Sequence, residues 1–248
     1  MYAVIGGSGL TKLSEFEVVR REVMRTPYGE PSGVLTVGRL AGHDLVFMAR
    51  HGYGHTIAPH DINYCANIWA LKQMGVEGIV GVASVGGIRA DLYTGSLVVP
   101  DGIIDYTHGR RGTFFEGPDQ PVVHIDFTHP YTPALRKALL AAGDSVGEEI
   151  FDGATYGCTQ GPRLETAAEI RRLERDGCDI VGMTGMPEAV LARELEIPYA
   201  ALAVVVNPAA GKGDSAASVS MDDIQKTLSV SMVKVCKILS AFVALEVD

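Results

Sequence analysis

The order of apolar segments along the chain constrains its fold more than any other sequence feature. In the second half, short buried strands at 179–182 and 199–206 alternate with helical patterns, as they do in α/β proteins. In the first half, two strand-like runs follow each other directly, and Gly42-His43 between them predicts a tight hairpin turn. We therefore predict an α/β fold, with a single domain over residues 1–248 whose mixed central β-sheet is flanked by helices.

The remaining predicted elements follow from the same periodicity and from the residues that punctuate it. Pro59 precedes the first helix, and Ser220 is placed to cap the last one. The predicted strands are residues 2–5, 33–39, 44–50, 78–85, 96–99, 102–105, 151–158, 179–182 and 199–206. The predicted helices are residues 61–74, 132–142, 165–176, 187–196 and 221–245. Residues 107–128 carry glycine, proline, histidine and aromatic residues without a period, which indicates a long functional loop.

The charge of the chain restricts its partners. Its 248 residues carry a formal net charge of -9, so neither a nucleic acid nor an anionic membrane would meet a basic surface. The four cysteines stand apart without metal-binding spacing. The chain shows no basic region ahead of its first strand and no apolar run of about 18 residues, so we expect neither a signal peptide nor a membrane span. We therefore expect a cytoplasmic protein with small-molecule ligands and no bound metal.

A polar turn at 183–188 carries the strongest functional signal. Pro187 suits the first turn of a helix, whose N-terminus offers free N–H groups, so Thr184 can bind an oxyanion there. A plain N-cap role for Thr184 explains the same residues and stays open. Downstream an apolar strand ends in the amide of Asn207, and upstream the carboxylate of Glu165 begins another predicted helix. If these three places converge, an anion site lies beside two polar groups that can read the edge of a flat heterocycle.

Other strand ends carry small or basic residues that suit an anion. Arginine binds oxyanions in bidentate fashion, and Arg50 is followed by His51, which can donate another hydrogen bond. Ser8, within a Gly-Gly-Ser-Gly turn, and Ser84 offer hydroxyl groups beside a closely approaching backbone. Plain turns and a solvated Arg-His pair are the competing interpretations. The spacing of His51 and His55 resembles that of two metal ligands, but the glycines between them would not hold a helical register.

Several motifs spread over most of the chain occur together in a familiar order. They are Gly6-Gly7-Ser8-Gly9-Leu10, Ala49-Arg50-His51-Gly52 with His55-Thr56, the run from Asn63 to Leu71, Gly161-Pro162-Arg163, and Met183-Thr184-Gly185-Met186-Pro187-Glu188-Ala189. These motifs closely resemble the methylthioadenosine phosphorylases, a trimeric branch of the purine nucleoside phosphorylase superfamily. The resemblance implies a nucleoside phosphorylase, a pentosyltransferase of purine salvage that needs no cofactor. Bound inorganic phosphate is then the co-substrate and the nucleophile.

The resemblance also implies a role for each candidate residue. Phosphate would be held by Ser8, Arg50, His51, Ser84 and Thr184. The nucleoside would contact Leu164, Glu165, Met183, Asn207, Pro208, Ala209 and Met221. The catalytic roles would fall to Ser8, His51 and Asn207. His124 matches a family position that reaches a neighbouring subunit's nucleoside site, which implies a homotrimer with shared active sites.

Two departures from the adenosine-type pattern concern the base. That family has aspartate at the positions of Asn207 and Ala209, and an aromatic residue followed by serine at Leu164 and Glu165. The residues present here resemble those of purine nucleoside phosphorylases that take 6-oxopurines. Asn207 can donate to O6 and accept from N7 as the leaving base takes a proton, and Glu165 can accept from N1–H. A mismatched buried polar group costs about 1–3 kcal/mol, which is enough to reverse the preference.

The sugar end of the site supplies the rest of the substrate assignment. Family members that take ordinary nucleosides place a polar residue, often histidine, near the 5′-hydroxyl, where this chain has Val219-Ser220-Met221. Apolar Met221 favours a 5′-methylthio group, although Gln225 one turn later is a polar departure. The sequence therefore predicts phosphorolysis of S-methyl-5′-thioinosine to hypoxanthine and 5-methylthioribose 1-phosphate. A 6-oxopurine (inosine/guanosine) nucleoside phosphorylase and a methylthioadenosine phosphorylase are the alternatives.

Overall fold

The computed structural model describes residues 1–7, 15–118 and 121–245. Eleven strands in these ranges form one mixed sheet, and five α-helices pack around it, which confirms the predicted fold class. The strands are β1 (Tyr2–Gly6), β2 (Glu17–Glu22), β3 (Leu35–Leu40), β4 (His43–Ala49), β5 (Ile79–Gly87), β6 (Leu97–Val99), β7 (Gly102–Asp105), β8 (Ile150–Asp152), β9 (Thr155–Cys158), β10 (Ile180–Gly182) and β11 (Tyr199–Pro208). The helices are α1 (Tyr64–Gln73), α2 (Pro133–Ser145), α3 (Ala167–Arg175), α4 (Gly185–Glu194) and α5 (Met221–Val243).

Helices cover both faces of the central strands. Along β11, Ala201, Ala203 and Val205 pack with α1 and α4, whereas the alternate residues pack with α2 and α5. Successive strand side chains point to opposite faces, so a strand that is covered on both sides reads as one continuous apolar run. None of the helices in the described part of the chain combines the length and the apolar character that a membrane crossing requires.

Strand pairing brings several strand ends to one edge of the sheet. β1 pairs in parallel with β4 and β5, and β5 pairs in parallel with β11. β10 runs antiparallel to β5, with Val181 opposite Gly86, so its carboxyl end lies beside the carboxyl half of β5. The segments that follow β1, β4, β10 and β11 therefore gather at one place, where α/β sheets commonly bind ligands.

The structure corrects the predicted strands at three places. The hairpin turn consists of Ala41 and Gly42, both with positive φ (50° and 82°), because Leu40 already pairs with His43. The strand predicted at 151–158 is divided into β8 and β9, since Gly153 adopts a φ of 90° between them. β2 was not predicted, because this edge strand is almost entirely exposed and has no buried side to give it a pattern.

The middle of β5 has no space for a side chain at Gly81. A Cβ there would collide with Tyr199 Oη and lie 2.9 Å from Glu188 Oε1, and both of these side chains are buried. We expect Gly81→Ala to lower the free energy of unfolding by about 1–3 kcal/mol, because overpacking displaces buried neighbours. Urea unfolding measures the change. Gly112→Ala is the matched control, since its Cβ would make only a 3.9 Å contact with Pro187. Equal stability of the two variants would contradict this packing.

Candidate active site

A cavity of about 260 Å³ opens where the strand ends gather. Its walls come from the ends of β1, β4, β5, β10 and β11, from the loop before α3 and from the first turns of α5. The predicted site residues that line it are Arg50, His51, Ser84, Leu164, Glu165, Met183, Thr184, Asn207, Ala209 and Met221. The structure thus brings together residues that are far apart in the sequence.

Two predicted site residues do not line this cavity, and a third lies outside the described residues. Pro208 does not line the cavity, and its ring lies beside Gly213, so its predicted contact with the nucleoside stays a prediction. His124 is exposed in the loop between β7 and α2 and does not line the cavity of its own chain. Ser8 lies outside the described residues.

Arg50 is held by a buried ion pair. Its Nε and Nη2 donate to the two carboxylate oxygens of Glu188 over 2.6 and 2.8 Å, and Nη1 donates to Val82 O over 3.0 Å. Tyr199 Oη donates to the same carboxylate over 2.8 Å. These described residues engage three of the five guanidinium N–H groups, so two remain for a ligand. Sequence reasoning assigned no role to Glu188, because its burial and its partner depend on the tertiary fold.

His51 is a neutral side chain whose tautomer is set by the backbone. Its Nδ1 lies 2.8 Å from Ile57 O, and because a carbonyl oxygen only accepts, Nδ1 carries the proton. Burial and then the neighbouring charge of Arg50 lower the pKa of His51 to about 4. Near pH 7 the other ring nitrogen, Nε2, is therefore an acceptor. This corrects the expectation that His51 donates a hydrogen bond to an anion.

Ser84 and Thr184 add hydroxyl groups to the cavity wall. Ser84 Oγ is buried and has no hydrogen-bond partner among the residues that the structure describes. Thr184 precedes α4, but its side chain makes no capping hydrogen bond, so the plain N-cap interpretation is wrong. The oxyanion interpretation also changes, because Met186 (φ -119°, ψ 139°) and Pro187 (φ -87°, ψ 15°) are not helical. Regular helix begins only after Pro187, and Thr184 lies on a turn ahead of it.

A β-bulge precedes Asn207. The register between β11 and β5 shifts between Val205 and Asn207, and both Val206 and Asn207 line the cavity. Bulges of this kind re-aim a side chain at the end of a strand. Asn207 Nδ2 donates to Pro208 O over 2.6 Å, which fixes the orientation of the amide. One N–H of the amide and its oxygen Oδ1 are left for a ligand.

Glu165 lies in the loop before α3, not at the start of the helix as predicted. α3 is capped by Thr166, whose side chain accepts from the N–H of Glu169 in a reciprocal capping box, so helical geometry begins at Ala167. Glu165 is thus free of the helix and lines the cavity. Its Oε1 accepts a hydrogen bond from Thr159 Oγ1 over 2.6 Å.

The end of the cavity that faces α5 is apolar. Val219, Met221, Ile224 and Leu228 line it, and sequence reasoning missed the last two, which lie one and two turns into the helix. Gln225 is exposed and does not line the cavity, so the polar departure noted in the sequence lies outside the site. Met221 is 64% exposed, so this end of the cavity is open in the single chain.

Arg110 is a residue of the site region that sequence reasoning did not single out. It lies in the predicted long loop and donates to the carbonyl oxygens of Gln160 (2.9 Å), Met183 (2.8 Å) and Met186 (2.7 Å). It therefore ties the loop that leads to Glu165 to the turn that follows β10. An arginine in an irregular, glycine-containing loop was the only sequence signal for this role.

The chain belongs to the Phosphorylase superfamily, whose family model matches residues 1–244. It is 55% identical over 235 residues to the probable S-methyl-5′-thioinosine phosphorylase of Pseudomonas syringae pv. tomato, over 95% of each chain. It is 49% identical over 214 residues to the 6-oxopurine nucleoside phosphorylase of Pyrococcus furiosus, over 84% of this chain and 80% of that one. The solved structure of methylthioadenosine phosphorylase from Schistosoma mansoni in complex with adenine superposes with a TM-score of 0.92. Its sequence is 32% identical, and the superposition covers 98% of this chain and 90% of that one.

The lowered pKa of His51 predicts a dependence of stability on pH. An unfolded histidine takes up its proton near pH 6.5, whereas folded His51 does so only near pH 4. The contribution of neutral His51 to the free energy of unfolding is therefore complete above about pH 6.5. It decreases by up to about 3 kcal/mol as the pH falls to 4. We expect His51→Asn, whose amide can still donate to Ile57 O, to lose less stability over this range in urea unfolding.

Exposed His43, at the start of β4, provides the matched substitution outside the cavity. His43→Asn is expected to keep the pH dependence of the wild type. Parallel stability curves for wild type and His51→Asn between pH 7 and 4 would contradict a neutral, buried His51.

Proposed function

We propose that the protein is a nucleoside phosphorylase of purine salvage that cleaves S-methyl-5′-thioinosine with inorganic phosphate as co-substrate. The products are hypoxanthine and 5-methylthioribose 1-phosphate. The observation that carries the proposal is that the Asn207 amide and the Glu165 carboxylate line the same cavity as Arg50. The name of the Pseudomonas syringae relative supports the same substrate.

The proposed phosphate end uses mostly neutral donors. The charge of Arg50 is balanced by Glu188, so its two remaining N–H groups act together with the hydroxyls of Ser84 and Thr184. His51 takes part as an acceptor for a P–OH group, because its protonated nitrogen already donates to the backbone. Ser8 keeps the phosphate-binding role that the resemblance implies.

At the proposed base end, two fixed polar groups meet the edge of a 6-oxopurine. The free N–H of Asn207 donates to O6, and Oδ1 accepts from N7 as this nitrogen gains a proton. Glu165 accepts from N1–H. As phosphate attacks C1′ and the glycosidic bond lengthens, negative charge moves onto the purine. Asn207 stabilises that charge through hydrogen bonds, without a covalent bond to the base, and it needs little rearrangement to do so.

The apolar end of the cavity supports a thioether substituent over a hydroxyl group. Ile224 and Leu228 extend the apolar wall beyond the predicted Met221, and a 5′-hydroxyl there would lose its hydrogen bonds to water. An apolar pocket discriminates between two such substituents by only about 10–200-fold in kcat/KM. Inosine is therefore the second candidate substrate, as the name of the Pyrococcus furiosus relative also suggests.

The proposed assembly is a cytoplasmic homotrimer of single-domain subunits over residues 1–248, with no organic cofactor or metal. Exposed His124 would reach the nucleoside site of a neighbouring subunit, as the resemblance implies. The open end of the cavity at Met221 is consistent with closure by a second chain.

The proposal is tested by assaying wild type and Asn207→Asp on methylthioinosine, methylthioadenosine and inosine, with and without phosphate. Wild type should release base only with phosphate and should prefer methylthioinosine. Asn207→Asp places an acceptor opposite O6 and also loses the N–H that binds Pro208 O. We therefore expect the ratio of kcat/KM for methylthioinosine to that for methylthioadenosine to fall by about 10-fold or more.

Gln225→Glu is the matched control, because it places the same new charge on exposed α5, outside the cavity. The ratio of kcat/KM for methylthioinosine to that for methylthioadenosine should be the same in Gln225→Glu and in the wild type. Preferred turnover of methylthioadenosine by the wild type would exclude the proposed substrate. An unchanged ratio in Asn207→Asp would remove Asn207 from the recognition of the base.

A further inference from the structure

Glu165 lies in the wall between two cavities. One is the central cavity, and the other, of about 480 Å³, lies on the outer side of the loop before α3. Arg163 lines the outer cavity together with its ion-pair partner Glu169, so a carboxylate that turned that way would enter polar surroundings that can also accommodate it. To bind a ligand in the central cavity, the Glu165 carboxylate has to point into that cavity and not into the outer one.

A hydrogen bond from the hydroxyl of Thr159 fixes the orientation of the Glu165 carboxylate. Thr159 Oγ1 lies 2.6 Å from Glu165 Oε1 and 3.3 Å from Gly182 O, and its single proton goes to the closer, charged acceptor. Thr159 is itself fixed, since its N–H donates to Gly182 O over 2.8 Å and its carbonyl accepts from Arg110 over 3.3 Å. Thr159 lines the outer cavity but not the central one. Its hydroxyl therefore does not face a ligand in the central cavity, and the side chain that it holds there is Glu165.

We propose that Thr159 is a positioning residue for base selection. Its hydroxyl occupies one oxygen of the Glu165 carboxylate and leaves the other to accept from N1–H of a 6-oxopurine. A carboxylate that is already oriented loses less conformational freedom when the base binds. The inference rests on the proposed function, because it assigns Glu165 to the base.

The two classes of purine should respond differently to the loss of this hydroxyl. A 6-oxopurine carries a proton on N1 and uses the oriented carboxylate as an acceptor. A 6-aminopurine has a lone pair on N1, so an ionised carboxylate gives it no hydrogen bond at that atom. Removal of the Thr159 hydroxyl should therefore weaken the 6-oxopurine selectively, whereas damage to the fold would weaken both.

The test compares Thr159→Val, which keeps the shape of the side chain, with Thr159→Ser, which keeps the hydroxyl. We expect Thr159→Val to lower kcat/KM for methylthioinosine by about 10-fold, the worth of one hydrogen bond to a charged group, and to change that for methylthioadenosine by less than about twofold. Thr159→Ser should stay within about twofold of wild type on both nucleosides, because its hydroxyl can still donate to Glu165.

A double-mutant cycle with Glu165→Gln shows whether Thr159 acts through the carboxylate. If it does, adding Thr159→Val to Glu165→Gln changes the ratio of the kcat/KM values for the two nucleosides by less than about twofold. Equal losses on both nucleosides, or independent effects of the two substitutions, would overturn the inference. Thermal unfolding checks that each variant folds, and Thr159→Ala provides a second variant without the hydroxyl.

The proposed function and this inference can fail separately. The preference of the wild type for one of the two nucleosides tests the proposed function. The change of this preference among the variants tests the role of Thr159 in base selection. Calorimetric binding of hypoxanthine and of adenine gives the same comparison without turnover. A selective loss of hypoxanthine affinity in Thr159→Val supports the inference, and an equal affinity in Thr159→Val and wild type contradicts it.

Discussion

The buried ion pair between Arg50 and Glu188 is the interaction on which the cavity depends. Both side chains are 1% exposed, and two parallel hydrogen bonds join the end of β4 to α4. Leaving either charge unpaired at this depth would cost about 3–5 kcal/mol, so the pair fixes how these two elements lie relative to each other. It also balances the charge of Arg50. The cavity therefore offers an anion the oriented N–H groups of a guanidinium rather than an unpaired positive charge.

Both ends of the cavity owe their chemistry to hydrogen bonds made within the protein. Ile57 O sets the tautomer of His51, Pro208 O orients the amide of Asn207, and the hydroxyl of Thr159 holds Glu165. Each bond leaves defined donors or acceptors free for a ligand. Groups that are oriented before the ligand arrives do not have to be reorganised during the reaction, and this is the main source of electrostatic catalysis in enzymes.

Local patterns in the sequence predicted the mixed sheet and most of the cavity wall. Arg50, Ser84 and Asn207 follow or end apolar strands, and strand ends gather at one edge of an α/β sheet. Features that depend on tertiary contacts were missed. The acceptors of Arg110 are backbone carbonyls of distant loops, and the bulge before Asn207 lies in an apolar run that shows no irregularity.

A crystal structure with bound hypoxanthine and phosphate would show whether the carboxamide of Asn207 and the carboxylate of Glu165 together bind a 6-oxopurine. We expect Asn207 Nδ2 to lie within about 3 Å of O6 and a Glu165 oxygen to lie at a similar distance from N1. Both are normal hydrogen-bond lengths. Phosphate should lie beside Arg50. A purine that is bound with Asn207 turned away from O6, or with Glu165 in the outer cavity, would contradict the account.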